Sequence, residues 1–242
     1  MAGPPRSANS SSERFCNCSL GWNTGHRKIV KCWGSRVLTL HADHSADLLT
    51  AYYAALYADI RLAAPIPLFG PPGIADRLAG FLTNTSTRSP IESAFAVSEL
   101  HDGHQVAIGS LRLTSRAVAH DIPAFAVRIE AAGGSLVYSG DTAPCPGLTQ
   151  LAEGCDVLLC EAESAQAPDE GDQVHHTPED AGDTARAARA DRLVVTHVGR
   201  FLTPQQAVDR ASARFDGPVD YAAPGTSFTV GQATSAAVRS TS

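Results

Sequence analysis

Two imidazoles and a carboxylate fall within one short stretch, Leu40-His41-Ala42-Asp43-His44-Ser45-Ala46-Asp47. These are ligand types that a borderline-soft metal such as zinc accepts. Val37 to Leu40 reads as a buried strand, and the run from Leu48 to Leu62 is apolar at helical spacing. A strand that feeds directly into a helix leaves its turn at the carboxyl end of a sheet, where open α/β proteins bind their ligands. Because the turn is tight, neighbouring side chains diverge, so His41 and the pair Asp43/His44 serve two adjacent metal positions more naturally than one. The competing reading is a plain helix start that collects Asp43 and Asp47 for its dipole.

Further potential ligands stand at the ends of other apolar runs. Ala117-Val118-Ala119 ends in His120, Leu136-Val137-Tyr138 runs into Ser139-Gly140-Asp141-Thr142, and Leu193-Val194-Val195-Thr196 stops at His197. Asp156-Val157-Leu158-Leu159-Cys160, a central buried strand by its unbroken apolarity, ends in Glu161. A polar loop carries His175-His176 into a helix whose start is well specified, with Thr177 as N-cap, Pro178 at N1 and Asp180 at N3. His176 reads as an exposed loop histidine. His101 and His104 flank the Asp102-Gly103 turn and read as surface polarity. Cys16, Cys18, His26 and Cys32 match no structural-zinc spacing.

The elements that must position these residues alternate between strand and helix. A strand and turn are expected over 65–72, a helix over 74–82, a surface loop over 83–93 and strands through 94–128. The hairpin 125–138 turns at Gly133-Gly134, and a short helix covers 148–154. A second capped helix opens at Thr203-Pro204 and runs to Phe215, and short strands at 219–222 and 227–230 end the domain.

Charge divides the chain more sharply than pattern does. Residues 1–36 hold six of the basic residues and Glu13 alone among acids, a balance of +5, so the remainder of this −6 chain carries −11. Both lysines and both tryptophans lie in that first piece. Residues 1–36 are therefore read as an atypical basic segment, disordered or not homologous to the remainder, with 37–232 as the folded domain and 233–242 as a flexible tail. The acidic body argues against a nucleic-acid partner and for a small substrate. No apolar run reaches the ~18 residues of a membrane span and no apolar leader follows Met1, so the expected location is cytoplasmic.

The ordered set resembles the metallo-β-lactamase fold superfamily, whose members carry His-x-His-x-Asp-His, a later His, a Gly-Asp and a final strand-end His. Here these correspond to residues 39–44, His120, Gly140-Asp141 and His197. Ser139-Gly140-Asp141-Thr142 and His175-His176-Thr177 are most similar to its phosphodiesterase and tRNase-Z-like branch. The resemblance implies an α/β fold, an αβ/βα four-layer sandwich, and a site of one or two Zn2+ ions, with Mn2+ or Fe2+ as alternatives. It implies that Asp141 bridges two metals, one bound by His41 and His120, the other by Asp43, His44 and His197. Asp43 would also orient the attacking hydroxide, His175 would protonate the leaving group, and Glu161 would steady His175. A homodimer is compatible with it.

Two departures qualify the resemblance. Thr39 stands where the family has its first His, and a neutral hydroxyl is a poor zinc ligand. No Asp-x-Gly strand precedes the motif, so the N-terminal strands are expected to be missing or altered. The expected activity is hydrolysis of a small phosphodiester, such as a cyclic nucleotide. The alternatives are an impaired relative with one weakened metal position and, less favoured, a tRNA 3′ endonuclease, because only 21 positions separate His120 from Asp141.

Overall fold

The computed structural model describes residues 35–58, 64–81 and 87–231. The rest of the basic segment and the tail beyond Gly231 lie outside the described residues.

Three hydrophobic clusters divide the structure into four layers. The outermost helices on one side are α1 (Ala42–Ser45), α2 (Asp47–Tyr57) and α3 (Ile74–Phe81). Tyr52, Ile74 and Leu78 from these helices pack on Leu68 and Phe95 of a three-stranded sheet, β1 (Ser35–Arg36), β2 (Ile66–Gly70) and β3 (Phe95–Glu99), in parallel order β1-β2-β3. A second cluster, with Leu38, Leu100, Leu113, Phe125 and Val127, lies between this sheet and a seven-stranded one. The large sheet comprises β4 (Gln105–Ile108), β5 (Leu111–Val118), β6 (Ala124–Ala131), β7 (Gly134–Tyr138), β8 (Val157–Ala162), β9 (Leu193–Val198) and β10 (Val219–Tyr221).

Its other face is covered by α4 (Pro146–Leu151), α5 (Pro178–Ala187) and α6 (Pro204–Ser212). Leu158, Leu193, Ala181, Ala185 and Ala211 form the third cluster there. In β6, Phe125 and Val127 face the small sheet while Ala126 faces the helices, the period-two alternation of a strand buried on both sides. Truncating Leu158 or Leu193 to alanine would cost about 2–5 kcal/mol.

The sheet order places the site. β4 to β7 are antiparallel neighbours and β7 to β10 are parallel, so β5, β7, β8 and β9 all run in one direction. Their carboxyl ends share one rim, and the expected ligands His120, Asp141 and His197 lie at it. The expected helix start at Leu48 is earlier in the structure, because Ala42–Ser45 is already helical. Residues 37–40 are not a strand: pairing is confined to Ser35 and Arg36, against Leu68 and Phe69, and Val37 adds one backbone bond to Phe69. Residues 227–230 form no strand either, since among the described residues nothing pairs with them beside β10 at the sheet edge.

Candidate metal centre

Five imidazoles surround the carboxylate of Asp141. Edge-to-face neighbours succeed one another in an arc from His41 to His120, His175, His197 and His44, with ring centroids 5.1, 5.1, 5.5 and 6.0 Å apart. Asp141 arrives there because β7 ends in Ser139-Gly140. Gly140 has φ +61°, and a Cβ at that position would stand 2.6 Å from the Phe125 carbonyl oxygen, so only glycine makes the turn. The single bridge between Ala119 and Ala143 ties the end of β5, and with it His120, to the same turn.

His197 is placed by a bulge. Glu161 pairs with Thr196 and Ala162 with Val198, which leaves His197 as the extra residue of β9 with φ +46°. A non-glycine residue in the left-handed region costs roughly 1–3 kcal/mol, and such strain persists where surrounding structure fixes it. Here the bulge turns the imidazole toward Asp141. The next loop passes so close to Glu163 that a Cβ on Gly199 would overlap its carbonyl.

The electrostatics centre on Asp141, whose side chain is 3% exposed. Its Oδ2 lies 2.9 Å from His44 Nε2. Its Oδ1 lies 3.3 Å from His197 Nδ1, yet off the direction a hydrogen bond requires, so this buried oxygen has no hydrogen-bond partner among the described residues. Burial by itself would raise the Asp141 carboxyl, but the imidazoles of His197 and His44 hold it well below the usual carboxylate range. Reciprocally, the nearby Asp141 carboxylate raises both His44 and His197. An unpartnered buried carboxylate oxygen ringed by imidazoles is a donor set suited to a divalent cation.

Among the described residues, two groups of ligand atoms meet the mutual distances of a metal site: His41, His120 and Asp141, and Asp141, His175 and His197, each within 4.8 Å. Asp141 belongs to both. His44 touches Asp141 directly, whereas the Asp43 carboxylate is 76% exposed and reaches only His44 Nε2, at 3.4 Å. His175, expected as a proton donor, therefore stands among the ligand-bearing side chains, with its Nδ1 2.8 Å from Glu161 Oε1. That bond raises the His175 pKa. Thr39 is fully buried and accepts a hydrogen bond from the His41 backbone N–H at 3.1 Å, so its hydroxyl is engaged in shaping the turn.

His176 is not an exposed loop histidine. It is fully buried, with Nδ1 2.6 Å from the Thr142 carbonyl and Nε2 3.2 Å from Thr184 Oγ1. Burial lowers its pKa, and the neutral ring braces the Asp141-Thr142 turn from below. Its neighbour Thr177 begins a capped helix that folds back on the domain, which is the signal that could have revealed an inward-facing residue beside it. Asp121 has no motif to single it out, although it directly succeeds His120.

With this geometry in view, the comparisons with known proteins are decisive at residues 37–198, which match the profile of the beta-lactamase superfamily domain. The chain belongs to that superfamily. An uncharacterized protein of Mycobacterium leprae is 34% identical over 193 residues, covering 79% of this chain and 68% of its relative. A ribonuclease Z of Mycolicibacterium gilvum is 31% identical over 214 residues, covering 75% and 72%. Among solved structures, the metallo-β-lactamase fold protein YhfI of Bacillus subtilis aligns with TM-score 0.67 at 20% identity, over 81% of this chain and 77% of that one. The short form of human tRNase Z aligns with TM-score 0.58 at 20% identity, over 83% and 80%. The superfamily member described here thus has the metallo-β-lactamase fold, with its candidate ligands on the rim where parallel strands end.

Proposed function

We propose that the chain is a metal-dependent hydrolase of phosphodiesters, with a small one such as a cyclic nucleotide as substrate. The observation that carries this reading is the buried Asp141 Oδ1, unpartnered among the described residues at the centre of the imidazole arc. His41 and His120 would hold one ion, His44 and His197 a second, and Asp141 both. His175 adjoins the second, and Asp43 reaches it through rotation of its exposed side chain. Bound in such a pair, divalent ions supply a hydroxide at neutral pH and charge stabilisation for the oxygens of the displaced phosphoryl group.

The chain's own residues do the rest. His44 and His197 keep Asp141 ionised, and Glu161, by accepting from His175 Nδ1–H and raising the ring's pKa, favours the imidazolium, whose Nε2–H can pass its proton to a departing alkoxide. The strand ends that carry His120, Asp141, Glu161 and His197 would fix these groups before substrate arrives.

The relative named ribonuclease Z favours a second reading, tRNA 3′ processing. Against it weigh the −11 balance beyond residue 36 and the short path from His120 to Asp141. Thr39 motivates a third, a relative with one weakened metal position. Turnover of a chromogenic phosphodiester, of 2′,3′-cyclic nucleotides and of a tRNA precursor by the zinc-loaded protein separates them. Cleavage of small diesters alone supports the first reading, precursor cleavage the second, and no cleavage the third. Cytoplasmic location remains part of the proposal, supported by free thiols at Cys145, Cys155 and Cys160; among the described residues no helix is long and apolar enough to cross a membrane.

A further inference from the structure

The first metal position is short of a ligand, because Thr39 spends its hydroxyl on the His41 backbone. Beside that position stands the carboxylate of Asp121. Its Oδ1 lies 3.1 Å from His120 Nε2 and 3.6 Å from His41 Nε2, and the side chain is 52% exposed. We propose that Asp121 is a ligand of the first metal position, supplying the protein donor that Thr39 does not; this rests on the two-metal reading of the site.

The hydrogen bonding of His120 points the same way. Its Nδ1 lies 2.9 Å from the Val174 carbonyl, which can only accept, so Nδ1 carries a proton and Nε2 is the nitrogen left to face Asp121. A ring nitrogen and a carboxylate oxygen 3.1 Å apart need a proton or a cation between them. The His120 side chain is 1% exposed, so it is held in this position by the packing around it. A metal ion bound by both nitrogen and oxygen would take the place of that proton. His41 lies beside both groups, its Nε2 3.6 Å from Asp121 Oδ1 and its Nδ1 3.4 Å from His120 Nε2, and one of these two nitrogens would complete the set.

The exchange alters the character of the position as well as its occupancy. Histidine at 39 would have given three neutral nitrogens and the shared Asp141 carboxylate. With Asp121 the set becomes two nitrogens and two carboxylates, more negative and richer in oxygen. Such a set favours harder ions, so the first position would accept Mn2+ more readily than a three-imidazole site does.

The test is a zinc titration of the chelator-stripped full chain, counted against a chromophoric competitor, for wild type, Asp121→Asn and Asp121→Ala, with circular dichroism to verify folding. Asparagine keeps a hydrogen-bond acceptor but loses the ionised oxygen, so a role limited to orienting His41 and His120 would leave its titration unchanged. The expected result is two sites in wild type and, in both variants, one site weakened by ~10-fold or more with the other unaltered. Two sites of wild-type affinity in Asp121→Asn would overturn the assignment of Asp121 and leave the two-metal reading standing. A wild-type chain that binds one zinc would also overturn it, and one that binds none would remove the two-metal reading itself.

Discussion

Glu161 Oε1 lies 2.8 Å from His175 Nδ1, and the same fully buried carboxylate accepts the Thr142 and Glu163 backbone N–H groups at 2.7 and 3.1 Å. One side chain thereby links the Asp141-Thr142 turn, the end of β8 and the proposed proton donor. Glu161→Gln keeps the shape but loses the charge and turns one N–H donor against another, so turnover should fall ~10–100-fold. The pH dependence carries a sign. Glu161 raises His175, which keeps it an acid to higher pH than a free imidazole and loses rate as pH rises through the raised value. In Glu161→Gln that loss should begin at lower pH. A pH-rate profile of the metal-loaded variant with an unmoved alkaline limb would contradict the role given to this pair.

His175→Ala separates its two possible contributions. As a proton donor it should cost ~10²–10⁴-fold in turnover, with metal content unchanged. Elemental analysis showing a lost ion would make His175 a ligand instead, as its place in the second group of ligand atoms allows.

The helix after His176 begins with a capping box in which Thr177 Oγ1 accepts the Asp180 N–H, and Asp180 Oδ2 accepts the Thr177 N–H at 3.0 Å. Thr177→Ala should destabilise the protein by about 1 kcal/mol in chemical denaturation at pH 7. Burial would raise Asp180, but its bonds from Thr177 and Gln173 leave it lowered overall. Its contribution is therefore present above the unfolded value of ~3.9 and is lost as pH falls through the lower folded value. The stability gap between wild type and Asp180→Asn should accordingly shrink in acid; a gap that widened below pH ~3 would reverse the assignment.

Much of this was legible in the sequence because the ligands terminate strands. His120, Asp141 and His197 each come after an apolar run, and β5, β7 and β9 do share a direction. Both capping boxes could be read from Thr-Pro followed by Asp180 or Gln206. Tertiary context hid the rest. Periodicity cannot show that His176 turns inward, since the decisive partner is a carbonyl 34 positions away. Val37–Leu40 looked like a strand because Val37, Leu38 and Thr39 are buried, but they are buried beneath neighbouring layers and do not continue the pairing of β1. The bulge at His197 likewise depends on the register of β8, which lies some 35 residues earlier.

Thr39→His should act in opposite directions on the free and loaded protein. The site is fully buried, so the larger ring should cost the metal-free form about 1–3 kcal/mol. Zinc affinity of the first position should nevertheless increase, since an imidazole replaces a hydroxyl that cannot coordinate well. Thermal melts with and without zinc check both halves, and equal shifts in the two conditions would show that residue 39 does not reach the ion.

The most direct measurement is the zinc stoichiometry of the purified full chain compared with that of Asp141→Asn. Two zinc ions per wild-type chain and fewer than one in the variant are predicted, because both ions share that carboxylate. A wild-type chain without bound zinc, or a variant that binds as wild type does, would contradict the account.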